Sequence, residues 1–511
     1  MSAQGQTRVN STWFFLYILL LTAHIGLVWA VPYFPTQDGP SHIYNLVILD
    51  DLLHGGKEWG SFFSYRLQAM PNLGFHLIAY PLLQIFPPII TEKIFVSIYI
   101  FLMGACVPFF LRSFDKPVLP LSFLVFPVIF NFNLMMGFYS YSIAVPLFIS
   151  ALSINWRIRY SSICFRFITL NSMGLFLYFF HLIPFIFYLL SLGIQPLVGQ
   201  RDYKLRVRNF SKDIILFSPL ILLFFFYISH GSKISIQSFS YLLSLSRFIK
   251  LLSDLLIFST VSFSPWQLVP SVVLIIVFYF LLRGSFINWK NTGQLSASDR
   301  YFLLITAFLI LIYIGAPFRF GDGSFFNERF PWVIFLLSLP LAKTFSASEH
   351  KHMNTIIVLV SCVFFVFNSF IFWQQNAKLK QFISGLPIEL PKGAFVMTYK
   401  GKTAVKQPVD SLLHAVSYHC ISNNYVNVGN YETEFNYFPI HFLHTLPPFP
   451  SPEVIAYNPA TIRWTDYPSI QYVFGWDIDK ADKTKLSGFY QLVWEDGALS
   501  IWKRISQLSG V

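Results

Sequence analysis

The sequence predicts an α-helical polytopic membrane protein of about eleven spans that ends in a small α/β domain. Three observations carry this. Of 511 residues, 55% are hydrophobic and only 12% charged, against roughly a quarter charged in an ordinary soluble domain. The apolar residues fall into long runs, each near the ~20 residues that cross ~30 Å of hydrocarbon. From Lys378 onward the runs stop, and Pro, Gly, Asn and acidic residues mix with short β-like stretches.

The first apolar run, Trp13 to Val31, contains no Asp, Glu, Lys or Arg. Val28-Trp29-Ala30 would suit a signal peptidase, but the run exceeds the usual signal core, so an uncleaved anchor is expected. Further spans are expected at about 92–111, 117–134, 138–155, 167–181, 182–199, 213–229, 266–283, 301–317, 331–345 and 355–374. The net charge of +12 excludes nothing by itself. Its distribution does: Arg157, Arg159 and Arg166, then Arg201, Lys204, Arg206, Arg208 and Lys212, then Arg283, Lys290 and Arg300, then Lys343 and Lys351 sit in short loops between spans. That is the pattern of cytoplasmic loops, not of a basic face for nucleic acid. With a cytoplasmic N-terminus, the outer side receives 33–91, 230–265, 317–330 and everything after about 375. Residues 72–90 are interrupted by Pro81, Pro87 and Pro88; as a span they would reverse the basic loops, so an interfacial segment is expected.

The chain thus divides into a transmembrane domain, 1–375, whose outer loop is 33–91, and an extracytoplasmic domain, 376–511. In the latter, Gly393–Tyr399, Gln471–Trp476 and Ala498–Lys503 read as strands. Cys106, Cys164, Cys362 and Cys420 show neither zinc nor disulfide spacing and are read as packing residues.

Chemistry concentrates in two outer segments. In Phe34-Pro35-Thr36-Gln37-Asp38-Gly39-Pro40-Ser41-His42-Ile43-Tyr44-Asn45, Gly39 and Pro40 impose a turn and Ser41 is placed to cap a helix to about Leu53. Asp38 is a candidate general base toward an acceptor hydroxyl, with His42 a polar partner; the bland alternative is that Asp38 caps the helix. In the loop Pro317–Pro331, Arg329 and Arg319 are candidate phosphate ligands, because a guanidinium holds phosphate oxygens in pairs. Asp322 and Glu328 lie beside them, and Arg329 pairing Glu328 or reaching lipid headgroups is the alternative. Asn72 and His76 are candidates to line the same cavity, with the polar interruption Asn131, Asn133, Tyr139, Ser140 and Tyr141 and with His181 nearby. His414, His419, His441 and His444 lack metal-ligand spacing and are read as ordinary residues. No phosphate-binding Gly-rich loop or nucleophile elbow is present.

One apolar helix, an outer loop with an early acidic residue, a Pro-rich interfacial segment, Glu92-Lys93 entering the second span and an outer soluble domain together resemble the GT-C fold glycosyltransferases. The strings Asp38–His42, Gly137–Tyr139, Asn327–Phe330, Leu412–Ala415 and Asn430–Pro439 are similar to those of functionally uncharacterised bacterial multi-pass proteins. The family resemblance implies transfer of a sugar from a polyprenyl-phosphate carrier to a saccharide, lipid or protein acceptor on the outer face of a bacterial inner membrane, among membrane lipids. It implies that Asp38 acts as base or supports a divalent cation, although no cofactor is required by the residues themselves. Where many members carry an acidic pair, Gly39 follows Asp38 here. A transport or envelope-assembly role, and a polysaccharide polymerase or ligase, stay open as alternatives.

Overall fold

The computed structural model describes residues 11–198, 203–230, 244–257, 261–293, 295–319, 323–342, 347–384, 389–401 and 408–505. Eight helical stretches are long and apolar enough to cross a membrane: Ser11–Ala30, Pro88–Ser113, Val118–Met136, Tyr139–Ile158, Ile163–Phe180, Pro265–Asn291, Ala297–Gly315 and His352–Ile383. The protein is a multi-pass membrane protein. Three of the expected spans are shorter: Leu182–Val198 and Asp213–Ser229, and Phe330–Ser338 with one 3-10 turn after it. Pro331 and Pro340 open those last two pieces, and Pro340 cannot donate to a continuing ladder. Of the outer segment 230–265, residues 231–243 and 258–260 lie outside the described ones; Leu245–Ile257 is one amphipathic helix.

The first helix, α1 (Ser11–Ala30), leads into a short turn and then into α2 (Gly39–Leu53). The turn is tied from both sides. Lys93 Nζ donates to the Val31 carbonyl at 2.6 Å, and the Asn376 side chain bonds both the amide and the carbonyl of Tyr33. The helix begins at Gly39 with Pro40 in its first turn, so Ser41 lies inside it and does not cap it; Asp38 occupies the cap position without a side-chain cap bond. Pro at this point removes a donor that would have no partner anyway, which is why the start falls three residues earlier than the Ser signal suggests. The interfacial segment contains α3 (Gly74–Leu83), ten residues long, followed by α4 (Pro88–Ser113).

The C-terminal region is a five-stranded mixed sheet in the order β3-β2-β5-β7-β6. Its strands are β2 (Phe395–Lys400), β3 (Val426–Asn427), β5 (Tyr472–Trp476), β6 (Tyr490–Asp496) and β7 (Leu499–Arg504). The three expected strands are β2, β5 and β7 to within about two residues. Alternation gives each face its own partner. Val396, Tyr472, Phe474, Leu499 and Ile501 pack with Tyr44, Ile48 and Leu49 of α2 and with Trp59 and Phe63 of the outer loop. Met397, Tyr399, Val473 and Trp502 face a separate cluster with Ile455, Trp464 and Tyr490. A second ladder pairs β1 (Phe63–Tyr65) with β4 (Ile440–Phe442) antiparallel, joining the outer loop to the C-terminal region.

The helix Ala347–Ser384 carries the chain through residue 376 without a break; its 38 residues extend about 57 Å at 1.5 Å per residue. Polar contacts reinforce the apolar ones. Asn45 and Asn430, both fully buried, exchange side-chain amide bonds of 2.9 and 2.8 Å, and Tyr44 donates to the Tyr425 carbonyl at 3.0 Å. Replacing Asn430 by Ala leaves the Asn45 Oδ1 buried without the donor from Asn430, which costs about 1–3 kcal/mol. Asn430→Ala is therefore expected to lower the thermal midpoint of the detergent-solubilised protein by several degrees, whereas substitutions at the exposed Asn436 are expected to leave it unchanged.

Candidate active site

Asp38 is held where it is by backbone pairing with the helix end 132–136. Gln37 N donates to the Met135 carbonyl at 3.0 Å and Asp38 N to the Met136 carbonyl at 3.1 Å. The next residue, Gly137, has φ +93, and a Cβ there would lie 2.8 Å from the Asp38 Cβ. Only glycine fits both demands. Gly39 is confined for another reason: a Cβ on it would stand 2.2 Å from Thr36 Oγ1, 2.3 Å from Glu92 Oε1 and 2.5 Å from the Tyr139 hydroxyl. The space of a second loop acid is thus filled by a carboxylate from α4. Tyr139 and Tyr418 donate to the two Glu92 oxygens at 2.6 and 2.8 Å.

Asp38 is 7% exposed. Gln37 Nε2 donates to its Oδ1 at 3.2 Å, the Tyr431 hydroxyl also bonds it, and His414 Nε2 stands 3.6 Å from Oδ1. Burial pushes the Asp38 carboxyl up to about 6, with His42 and Gln37 pulling the other way. Four residues on, His42 places Nε2 at 2.9 Å from the Gly137 carbonyl and Nδ1 at 2.8 Å from Glu432 Oε1. Burial alone would lower the His42 imidazole, but the Glu432 carboxylate outweighs it and raises it; reciprocally, His42 overrides burial and lowers Glu432. His414 and His76 have no such partner, and burial lowers both to about 4.

These groups line one wall of a cavity of about 1180 Å³. Its other walls carry Asn72, His76, Ser140, Tyr141 and His181, the guanidinium-bearing Arg66, Arg319 and Arg329, and an apolar side made by Ile183, Ile186, Phe226 and Ile228. Both ring nitrogens of His76 lack a hydrogen-bond partner. Asn72, at φ 80, gives its carbonyl to Ser140 Oγ. The polar interruption noted in the sequence is positional: Asn133 donates to the Glu328 carbonyl at 3.1 Å and Tyr141 to the Arg329 carbonyl, so both fix the loop that carries Arg329.

Arg329 is 9% exposed and lies over the Phe138 ring at 4.5 Å. Its Nη1 donates to the Ser324 carbonyl at 2.8 Å, and its Nε has no partner. It therefore neither snorkels at a rim nor pairs with Glu328. Arg319 sits at the mouth, where it pairs with Glu453 at 3.2 Å. Of the residues expected from sequence, Asp38, His42, Asn72, His76, Arg319 and Arg329 come together on this cavity. Glu328 does not line it: burial raises its carboxyl, and the nearby charges include Lys250, Arg329 and Asp254. Asp322 lies outside the described residues. The reading of His414 as an ordinary residue is corrected, since it stands beside Asp38; Tyr431 and Glu432 are further site residues that sequence reasoning did not assign. Only the string Asn430–Pro439 signalled them. Among the described residues, no group of three or more His, Cys, Asp or Glu could hold a metal ion.

No family model matches the chain, and no curated protein matches it. Among solved structures, the crystal structure of ArnT from Cupriavidus metallidurans bound to undecaprenyl phosphate superposes over 98% of this chain and 100% of that one, with TM-score 0.50 and 10% identity. The chain has a GT-C fold. The likeness covers both the helices and the C-terminal region.

Two outcomes follow from the confinement of this loop. Gly39→Asp is expected to abolish folded protein in size-exclusion chromatography, because the side chain has no space beside Glu92. Asp38→Asn is expected to stabilise. The carboxyl is raised from 3.8 to about 6, so its ionisation costs stability, fully above pH 6 and not at all below 3.8. The difference is worth roughly 3 kcal/mol. The thermal midpoint of Asp38→Asn should exceed wild type at pH 8, and the gain should shrink as the pH falls through 6.

Proposed function

We propose that the protein is a glycosyltransferase that moves a sugar from a polyprenyl-phosphate carrier to an acceptor on the outer face of a bacterial inner membrane. The observation that carries this reading is Asp38, a buried carboxylate on the wall of a cavity that also presents arginines and an apolar side. A lipid phosphate needs both of the latter; an acceptor hydroxyl needs the former. The likeness to ArnT, whose structure holds undecaprenyl phosphate, supports a ligand of this class.

In the proposed reaction Asp38 takes the proton of the acceptor hydroxyl as its oxygen bonds to the anomeric carbon. The bond from that carbon to the phosphate oxygen breaks, and the polyprenyl phosphate leaves with the electron pair. Attack opposite the leaving group inverts the anomeric centre. Arg329 holds the phosphate whose charge grows in the transition state; Arg319 assists once released from Glu453. Burial helps twice, because it brings the base close to neutral pH and strengthens the guanidinium–phosphate attraction. Asn72 and His76 would bind sugar or phosphate oxygens, the latter through its two unpartnered nitrogens. Glu328 would act on the carrier side only indirectly, since it does not line the cavity, and Asp322 stays a candidate from the sequence alone. The residues themselves require no cofactor, and Asp38 could also support a divalent cation. In this reading, which rests on the basic loops, the N-terminus is cytoplasmic and the C-terminal region periplasmic or extracytoplasmic.

The test is transfer of labelled sugar from a panel of polyprenyl-phosphate donors by purified protein in lipid. Asp38→Asn is expected to lose about 10²–10⁴-fold in rate while keeping its fold, and Arg329→Ala about 10²–10³-fold. Full transfer by Asp38→Asn would remove it as the base. Because the base works ionised, wild-type transfer should fall as the pH drops through about 6.

A further inference from the structure

We propose that Glu432 fixes His42 as a permanent imidazolium, so that His42 is a positioning cation beside Asp38 and exchanges no proton in the reaction. The atoms facing the ring carry the inference. The Gly137 carbonyl, 2.9 Å from Nε2, can only accept, so Nε2 bears a hydrogen. Glu432 Oε1 lies 2.8 Å from Nδ1. The contact is a close charge contact and not an aligned hydrogen bond, since neither Glu432 oxygen has a hydrogen-bond partner. A bare Nδ1 lone pair set against a carboxylate oxygen at this distance would be repelled, which a proton on Nδ1 or on Glu432 relieves. Two arrangements satisfy this: imidazolium with carboxylate, or neutral imidazole with a protonated Glu432.

The surroundings select the first. Two carboxylates, Asp38 from the loop and Glu432 from the C-terminal segment, face the ring. Glu92 of α4 lies behind, bonded by Tyr139 and Tyr418. The other imidazoles in range, His76 of α3 and His414, are held neutral near pH 7 by burial. No second cation competes with His42 for Glu432 in the described ion pairs. The Glu432 carboxylate at 2.8 Å, with Asp38 beyond it, favours the charged ring against the cost of burial.

Glu432 and its neighbour divide the task. Tyr431 bonds Asp38 while Glu432 contacts His42, both from one 3-10 turn, Tyr431–Glu434. The C-terminal segment thereby sets the orientation of the base and of the cation beside it. A His42 ring already carrying both protons cannot take the proton that leaves an acceptor, which leaves Asp38 as the nearest carboxylate to receive it. That consequence rests on the glycosyl-transfer reading; the charge state of His42 does not.

The experiment is ¹⁵N NMR of full-length protein labelled in histidine, reconstituted in lipid nanodiscs, with His42→Gln locating the His42 signals by their loss. At pH 8 wild type is expected to show both His42 ring nitrogens protonated. Glu432→Gln is expected to lose that signature and show one protonated and one bare nitrogen, and Glu432→Asp to keep it. A neutral His42 ring in wild type at pH 8, or an imidazolium unaffected by Glu432→Gln, overturns the proposal. If Glu432→Gln fails to fold, the wild-type spectrum at pH 8 decides alone. No sugar donor is used, so a negative result here leaves the transferase reading standing, and failed transfer leaves this one.

Discussion

Charge buried away from water must be neutralised by neighbours, and in this protein that requirement ties the two ends of the chain together. Asp38, His42 and Glu92 stand on or beside the first outer loop; His414, Tyr418, Tyr431 and Glu432, which partner them, come from the C-terminal region. Removing one member of the buried His42–Glu432 pair would cost about 3–5 kcal/mol. The C-terminal region is therefore no detachable attachment to a finished membrane protein. Its sheet face, its short ladder with β1 and its polar contacts converge on the stretch from Asp38 to Tyr65.

The same constraint explains the departure from the acidic pair expected at 38 and 39. A carboxylate beside Asp38 is present, but α4 supplies it through Glu92, and the loop must then narrow to Gly39 to let it in. Gly137 makes the matching concession on the other side of Asp38. Two glycines thus frame the acid: one yields to a side chain, the other to the acid's own backbone.

Much of this was legible from residue pattern. Long uncharged runs reveal spans because lipid leaves the backbone no other partner, and alternation revealed β2, β5 and β7. Asp38, His76 and Arg329 were recognisable as polar groups at membrane ends, where their presence needs a reason. Span lengths were less legible: Pro331 and Pro340 shorten a segment whose hydropathy alone looks sufficient. Ser41 was misread as a cap because Pro40 had already started the helix. His414, Tyr431 and Glu432 were hidden because their roles arise only from contacts with residues hundreds of positions away, and a histidine outside any ligand spacing carries no local signal.

Ser41 and Asn430 are 389 residues apart in sequence yet share a hydrogen-bond network, which has a consequence for how the protein is made. Asp38 and His42 leave the ribosome long before the turn that neutralises them. Until that turn arrives, the loop must keep its charges in water or at the lipid surface. Every span is laid down in the meantime around an unfinished centre. The loop's charged groups therefore meet their C-terminal partners only after every span has been made.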